Sequence, residues 1–255
     1  VRRAEDSMGG WRELGVLAAM FAGLCSAASA QPAPGKATGI SGIWTNVTYR
    51  PESVFNPRLG VLTTVEGLAP PLQPWAADLL EQRLKDAEAG RPFANTKSMC
   101  LPSGVPQLMF GPRTPMQILE TPGQVTMLIE EFNDFRIVLL DAPHTVDPDP
   151  SIMGDSVGRW EGDTLVVDTI GLTENTTLDG VGMPHSEALH VVERFRRTSK
   201  DNMEILVTID DPKTFTRPWT ARAEFAPMRV KKITEYFCEN QRNAPSNGTT
   251  ATGVR

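Results

Sequence analysis

The chain has 255 residues, with 25 Lys and Arg against 31 Asp and Glu, and a formal net charge of −6. Its 40% apolar and 22% charged residues are typical of a folded globular domain and exclude an intrinsically disordered chain. The acidic balance argues against nucleic acid as a partner, because phosphate binding needs a basic surface. The 21 Gly and 21 Pro leave little room for long helices and favour strands joined by turns.

Residues 1–30 are predicted to form a secretory signal peptide. Arg12 precedes an apolar run over 14–24, and the small residues at 26–30 end in an Ala-x-Ala cleavage site before Gln31. The run is too short to cross a bilayer of ~30 Å, and no later segment approaches ~20 apolar residues. We therefore predict a protein without a transmembrane segment, exported to the periplasm or secreted.

The remaining sequence predicts one domain with short flanking segments. We expect a flexible leader at 31–40, a single barrel domain at 41–240 and a disordered tail at 241–255. A helix is predicted from Pro74 to about Ala89, because Pro suits the first turn of a helix and the following Gly suits its end. Its apolar stripe is expected to consist of Trp75, Leu79, Leu80, Leu84 and Ala87.

Alternation of apolar and polar residues from about residue 114 predicts a series of β-hairpins. Together with a strand at 42–48 it gives about nine strands with short connections, and closure into a barrel avoids exposed sheet edges. The predicted fold class is all-β with one long helix, an antiparallel meander closed into a lipocalin-like β-barrel. The hairpin strands are expected at 124–132 and 135–141, 156–160 and 164–170, 187–197 and 202–210, and 219–225 and 230–238.

Two cysteines remain once the signal peptide removes Cys25, namely Cys100 and Cys238. An even number of cysteines in an oxidising compartment indicates a disulfide. Two free buried thiols are the alternative interpretation.

The alternation also predicts which ionisable side chains face the core. Over 187–197 it places Glu193 inward and His190 outward, and it places Asp168 inward beside Val166. An inward carboxylate costs several kcal/mol unless it is paired or protonated. We therefore expect Glu193 and Asp168 to meet a partner or a ligand.

Three histidines at 144, 185 and 190 are the candidate proton carriers, since imidazole titrates near neutral pH. His185 precedes a strand and His144 lies in a loop, so both are better placed for function than the outward His190. A metal site at His185, His190 and Glu193 is the alternative. The odd spacing of the two histidines puts them on opposite faces of a strand, and no His-Glu-x-x-His motif is present, so no metal is expected.

Gly154–Gly158 fits the Gly-x-Ser-x-Gly motif of a nucleophile elbow, with Ser156 as the nucleophile. That motif requires a strand-to-helix turn in an α/β sheet, whereas the segments predicted here are strands. A turn-forming Ser156 is therefore the preferred interpretation. Asp147 and Asp149 similarly suggest calcium, but the glycine of an EF-hand loop is not in place, and an acidic loop stiffened by proline is preferred.

Three further residues are candidates for contact with a ligand. Arg159 and Trp160 place a cation beside an aromatic ring, which suits a carboxylate or phenol, although a packed Trp with an extended Arg is equally compatible. Ser186 follows His185 directly and is expected to contact the same ligand.

Two sets of residues resemble known proteins. Ser41–Trp44 resembles the Gly-x-Trp that opens the first strand of lipocalin-like barrels. The runs 153–168 and 184–197, with 100–106 and 121–126, resemble a family of exported bacterial proteins over roughly residues 40–240. That resemblance implies export and a shared site built from the polar positions, but no particular activity. It also implies that relatives have His at the position where this chain has Asp155. We therefore assign no catalytic role to that position.

These features predict an exported acid–base enzyme without a cofactor. It would be a lyase, isomerase or hydrolase acting on a small hydrophobic or aromatic molecule in a barrel pocket. His185 and His144 would shuttle protons, and Asp168 and Glu193 would orient them or act as carboxyls of raised pKa. Arg159, Trp160 and Ser186 would hold the ligand. A periplasmic carrier that binds an apolar ligand without turnover is the alternative, and a structural envelope protein is a third. The sequence does not predict the oligomeric state.

Overall fold

The computed structural model describes residues 39–111 and 114–238. The predicted signal peptide, most of the predicted leader and the predicted tail lie outside the described residues. Ile40, at the end of the predicted leader, is fully buried, and its carbonyl accepts a hydrogen bond of 2.8 Å from the Trp44 indole. The domain therefore includes this residue.

Nine strands in the described part of the chain form a closed barrel in which each strand pairs with its neighbours in chain order. This confirms the predicted all-β class and the closed, lipocalin-like barrel. The strands are β1 Gly42–Asn46, β2 Met116–Thr121, β3 Gln124–Ile129, β4 Asp134–Leu140, β5 Asp155–Glu161, β6 Thr164–Ile170, β7 His190–Ser199, β8 Asn202–Asp210 and β9 Trp219–Pro227.

Two strand predictions are wrong. Met116–Thr121 is a strand that the sequence reading missed, whereas 230–238 is not a strand. The reason for the second error is closure: β9 pairs with β1 on one side and with β8 on the other, so both of its edges are already occupied. The segment instead runs to the β3–β4 turn, where the backbone N–H of Thr234 donates to Glu130 Oε2 at 2.7 Å.

The pairing of β4 with β5 departs from the predicted meander, because these two strands run parallel whereas their neighbours are antiparallel. A parallel pair needs a connection that returns to the starting end of the sheet. Residues 141–154 make that return along the outside of the barrel. Elsewhere β1, β3, β6 and β8 all finish at one end, which we call the upper end. The connections 47–115, 171–189 and 211–218 lie there.

The predicted long helix is present as α1 Pro74–Glu88. It begins with Pro at its first turn, and Gly90 follows it at φ +79°. The helix packs beside the β8–β9 connection, where the Trp75 indole donates to the Lys213 carbonyl at 3.1 Å. Leu80 and Leu84 join the core, but Trp75 of the predicted stripe is 48% exposed.

The core fills the inside of the barrel with the inward-facing side chains of all nine strands. Cys100 and Cys238 form the predicted disulfide, with Cα atoms 5.7 Å apart, and link the β1–β2 connection to the segment after β9. Within the described ranges, no helix combines the length and the hydrophobicity that a membrane crossing requires.

Candidate functional site

The return segment 141–154 carries His144 onto the outer face of the barrel, above β5 and β6. Its last residue, Gly154, has φ +66°, and a Cβ there would lie 2.6 Å from the Ile170 carbonyl oxygen. The segment therefore approaches β6 as closely as a backbone without a side chain allows. This close approach holds the return segment against the strands that it crosses.

A chain of hydrogen bonds joins two aspartates and two histidines on this outer face, and we call these four residues the His–Asp cluster. His144 lies between Asp155 and Asp168, with Nδ1 2.9 Å from Asp155 Oδ2 and Nε2 3.0 Å from Asp168 Oδ1. His190 Nε2 lies 2.9 Å from the same Asp168 Oδ1. The Thr145 backbone N–H also donates to Asp155 Oδ2, at 2.8 Å.

Strand register explains why these residues meet. Asp168 pairs with Val192 across the β6–β7 ladder, so His190, two residues earlier on the same face, is its diagonal neighbour. Asp155 is diagonal to Asp168 in the same way, because Val157 pairs with Asp168 across β5–β6. One outer patch thus collects residues from three strands and from the return segment.

The prediction that Asp168 faces inward is wrong, whereas the outward prediction for His190 is confirmed. The Asp168 side chain is 31% exposed on the outer face, beside half-exposed His190. The alternation of apolar and polar residues gave the wrong face for Asp168 because β6 is apolar on both faces. Its residues Leu165, Val166 and Val167 are all buried. Only the neighbouring strands decide which face is the core.

The contacts in the cluster constrain its protons. Ionised carboxylates only accept hydrogen bonds, so a ring nitrogen of His144 that carries hydrogen donates to the aspartate beside it. Burial raises the pKa of Asp155, but hydrogen bonds from Thr145 and His144 outweigh that effect, so its pKa is lowered. At the other end of the cluster, His190 Nδ1 makes no hydrogen bond to a described residue, and the side chain is 40% exposed. This nitrogen is the open end of the cluster.

Glu193 faces inward as predicted, and its partner is Arg136 on β4, which is separated from β7 by β5 and β6. The two side chains are 0% and 1% exposed, and Arg136 Nη2 donates to Glu193 Oε2 at 2.5 Å. Arg136 also donates to the hydroxyls of Ser156 and Thr169, at 3.1 and 2.8 Å. Arg136 Nη1 and Glu193 Oε1 have no hydrogen-bond partner among the described residues. Ser156 therefore lies within β5 and inside the barrel, rather than in the turn that we predicted.

His185 lies apart from both groups, in the β6–β7 connection, and is 5% exposed. Its Nδ1 is 3.0 Å from the Ser186 carbonyl, which accepts, and its Nε2 is 2.7 Å from the Thr176 hydroxyl. Desolvation lowers the pKa of His185 and so favours the neutral ring, in which Nδ1–H donates to the Ser186 carbonyl. The contacts of this histidine are those of a packed structural residue.

The predicted ligand contacts are engaged elsewhere. The Arg159 guanidinium binds Glu161, with Nη2 2.6 Å from Oε1, on the exposed outer face of β5. Trp160 is half-buried against the core. The Ser186 hydroxyl donates to Asp211 Oδ1 at 2.8 Å. Of the four predicted catalytic residues, the structure therefore brings together only His144 and Asp168.

A cavity of about 430 Å³ lies at the upper end, formed mostly by the β1–β2 connection and by residues 179–181. Asp179 is buried in its wall, and burial raises the pKa of this carboxyl to about 6 although four backbone N–H groups donate to it. Those donors belong to Leu62, Val181, Gly182 and Met183. Across the described part of the chain, no group of three or more His, Cys, Asp or Glu is arranged to hold a metal ion.

Sequence reasoning missed Arg136, ranked His190 below the other two histidines and gave Asp155 no role. Arg136 was detectable, because it alternates inward with Val138 between outward Phe135, Ile137 and Leu139. The roles of Asp155 and His190 depend on strand register and on the path of the return segment, which no local pattern reports.

A scan against models of protein families finds no match, and a search of curated proteins finds no similar one. The class of protein that the geometry defines is a closed β-barrel with an outer His–Asp cluster and an end cavity.

Proposed function

We propose that this protein is an exported acid–base enzyme in which His190 transfers a proton to or from a small molecule. The observation that carries the proposal is the sharing of Asp168 Oδ1 by Nε2 of His144 and Nε2 of His190. An imidazole held through one nitrogen by a carboxylate, with its other nitrogen open to solvent, has the geometry of a general base.

The four residues of the cluster have different roles in this proposal. Asp168 fixes the Nε2–H tautomer of His190 and so leaves the Nδ1 lone pair outward as the base. When His190 takes a proton, its new positive charge lies 2.9 Å from the Asp168 carboxylate. His144 and Asp155 are positioning residues, because both ring nitrogens of His144 are already engaged. His185 and Glu193 are buried by the protein and take no part.

The surroundings of His190 support a hydrophobic or aromatic substrate. Val157, Ile170 and Val192 lie on the same outer face and are only half-buried, so they offer apolar contact beside the base. The disulfide supports export to the periplasm or beyond the cell, because such bonds persist in oxidising compartments.

Hydrolysis of p-nitrophenyl acetate tests the proposed base without knowledge of the natural substrate. In the expected reaction His190 takes a proton from water while the water oxygen bonds to the acetyl carbon. The ester C–O bond breaks, and acetic acid and p-nitrophenolate leave. The acetic acid loses its proton to solvent, and the proton on His190 passes to solvent as well. We expect His190→Gln to lower the rate about 10²-fold, the usual size of a lost general base, and Asp168→Asn to lower it in the same direction.

The matched control is His185→Gln, which removes a histidine whose two nitrogens are already bonded within the fold. This variant should keep the wild-type rate, provided that circular dichroism shows it folded. The proposal fails if His190→Gln is as active as the wild type. It also fails if the wild type is no faster than an equal concentration of free imidazole.

The carrier without turnover remains the second candidate, and one observation favours it. The 430 Å³ cavity is lined by residues other than the His–Asp cluster, so ligand binding there does not require the proposed chemistry. Native mass spectrometry of the purified protein distinguishes the two. A carrier should hold a ligand equally in the wild type and in His190→Gln, whereas an enzyme should accumulate its substrate only in the variant.

A further inference from the structure

The cavity at the upper end has the composition of a small-molecule site. Its volume of about 430 Å³ falls within the ~300–1,000 Å³ that is typical of such sites. Apolar side chains form much of its wall, among them Val61, Leu62, Phe110 and Val181. A ligand with an apolar body would therefore gain contact area there.

Gln107 supplies an amide donor on the wall of the cavity. The side chain is 2% exposed and lines the cavity, and its Oε1 accepts from the Thr177 hydroxyl at 3.4 Å. Its Nε2 makes no hydrogen bond to a described residue. Because the amide is a hydrogen-bond donor on the cavity wall, an acceptor oxygen on a ligand can bond to it at this point.

The unpaired charge around the cavity is positive. Four cationic residues line it, and three of them form ion pairs with glutamates: Arg58 with Glu81, Lys97 with Glu131, and Arg222 with Glu204. Arg50, the fourth, forms no ion pair with a described residue and is exposed. The lining also holds the carboxyl of Asp179, but the backbone N–H groups of Leu62, Val181, Gly182 and Met183 compensate its negative charge.

We propose that this cavity binds a small molecule with an apolar body, an acceptor oxygen facing the Gln107 amide and an anionic group facing Arg50. The apolar wall contributes affinity, Gln107 orients the buried end, and Arg50 selects for negative charge at the entrance. The site uses residues separate from the His–Asp cluster, so it stands whether or not the acid–base proposal holds.

Two fluorescent probes test the proposal. Dansylglycine combines a naphthalene body, sulfonyl oxygens and a carboxylate, and dansylamide lacks the carboxymethyl group. We expect one dansylglycine to bind per chain, and Arg50→Gln to weaken it about tenfold, the scale of a lost charge-assisted hydrogen bond. Dansylamide should bind this variant and the wild type equally. Gln107→Met should weaken both probes, because both offer a sulfonyl oxygen.

Three controls make the result specific. Arg217→Gln removes an exposed cation from the β8–β9 connection, outside the cavity, and should leave both affinities unchanged. Phe135→Ser alters the outer face of β4, where Phe135 is 58% exposed and Ile137 and Leu139 are also exposed. It too should leave binding unchanged, as should His190→Gln. The proposal is overturned if dansylglycine does not bind, if Arg217→Gln weakens it as much as Arg50→Gln, or if Phe135→Ser abolishes binding.

Discussion

Arg136 and Glu193 face each other inside the barrel, where bulk water does not hydrate them. Their attraction has to offset the lost hydration of both ions, so such a pair adds little net stability, whereas either charge alone would be very costly. Since Arg136 belongs to β4 and Glu193 to β7, the pair joins strands that are not neighbours in the sheet. At the scale of residues, the buried position of each charge is explained by its partner of opposite charge, without a ligand.

His185 makes the stability of the fold depend on pH. Its pKa is lowered from 6.5 by desolvation, so the folded state favours the neutral ring. The stabilisation is complete above pH 6.5 and is lost as the pH falls through the folded-state pKa, because the ring must then be protonated. We expect the difference in Tm between the wild type and His185→Gln to be larger at pH 7.5 than at pH 5. A difference that stays constant over this range would contradict the assignment.

The return segment 141–154 decides where the chemistry lies, because the parallel β4–β5 pair forces the backbone to cross the outside of the barrel. A meander with a tight β4–β5 hairpin would leave no segment over β5 and β6 to carry His144. The change of a single strand pairing from antiparallel to parallel therefore creates the His–Asp cluster.

A pair of glycine substitutions tests how tightly this segment is held. Gly154 and Gly162 have φ of +66° and +65°, so alanine meets the same backbone strain at both positions, about 1 kcal/mol. A Cβ at Gly154 would lie 2.6 Å from the Ile170 carbonyl oxygen, whereas a Cβ at Gly162 meets nothing within 4 Å. In urea unfolding we expect Gly154→Ala to lose about 1–3 kcal/mol more than Gly162→Ala, the usual cost of overpacking.

Gly154→Ala should also lower p-nitrophenyl acetate hydrolysis, since it displaces the segment that carries His144, while Gly162→Ala should not. Equal unfolding free energies for the two variants would show that the segment moves aside at little cost.

The inward and outward side chains of a strand with one buried face were predictable from the sequence. Those of a strand with two buried faces were not. β7 and β8 alternate cleanly, so the inward position of Glu193 and the outward position of His190 follow from the pattern. β6 is apolar on both faces, and the same reasoning therefore misplaced Asp168. The helix α1 was predicted almost to the residue, because proline and glycine mark its ends locally.

Closure organises the whole molecule, because β1 completes the ring between β2 and β9. The chain after β9 cannot extend the sheet and instead returns to the upper end, where Cys238 bonds to Cys100. The disulfide therefore ties the end of the domain to the long connection that forms the cavity.

The disulfide spans 138 residues of sequence, so it removes many conformations from the unfolded chain. We expect the double variant Cys100→Ser/Cys238→Ser to lose about 2–5 kcal/mol of unfolding free energy at pH 7. Dithiothreitol should lower the stability of the wild type by a similar amount and leave the double variant unchanged. A wild type insensitive to reduction would mean that the bond does not constrain the unfolded state.

The sequence by itself determined the all-β class, the helix, the disulfide pair and the inward carboxylate of Glu193. Each of these follows from local periodicity, from residues that start or end an element, or from the number of cysteines. Only the tertiary structure decided that β4 and β5 run parallel, that Asp168 faces outward and that His190 shares its carboxylate with His144. Those facts depend on strand register and on the path of the chain between strands. Contacts between residues distant in sequence determine both, because all nine strands have to bury the same core.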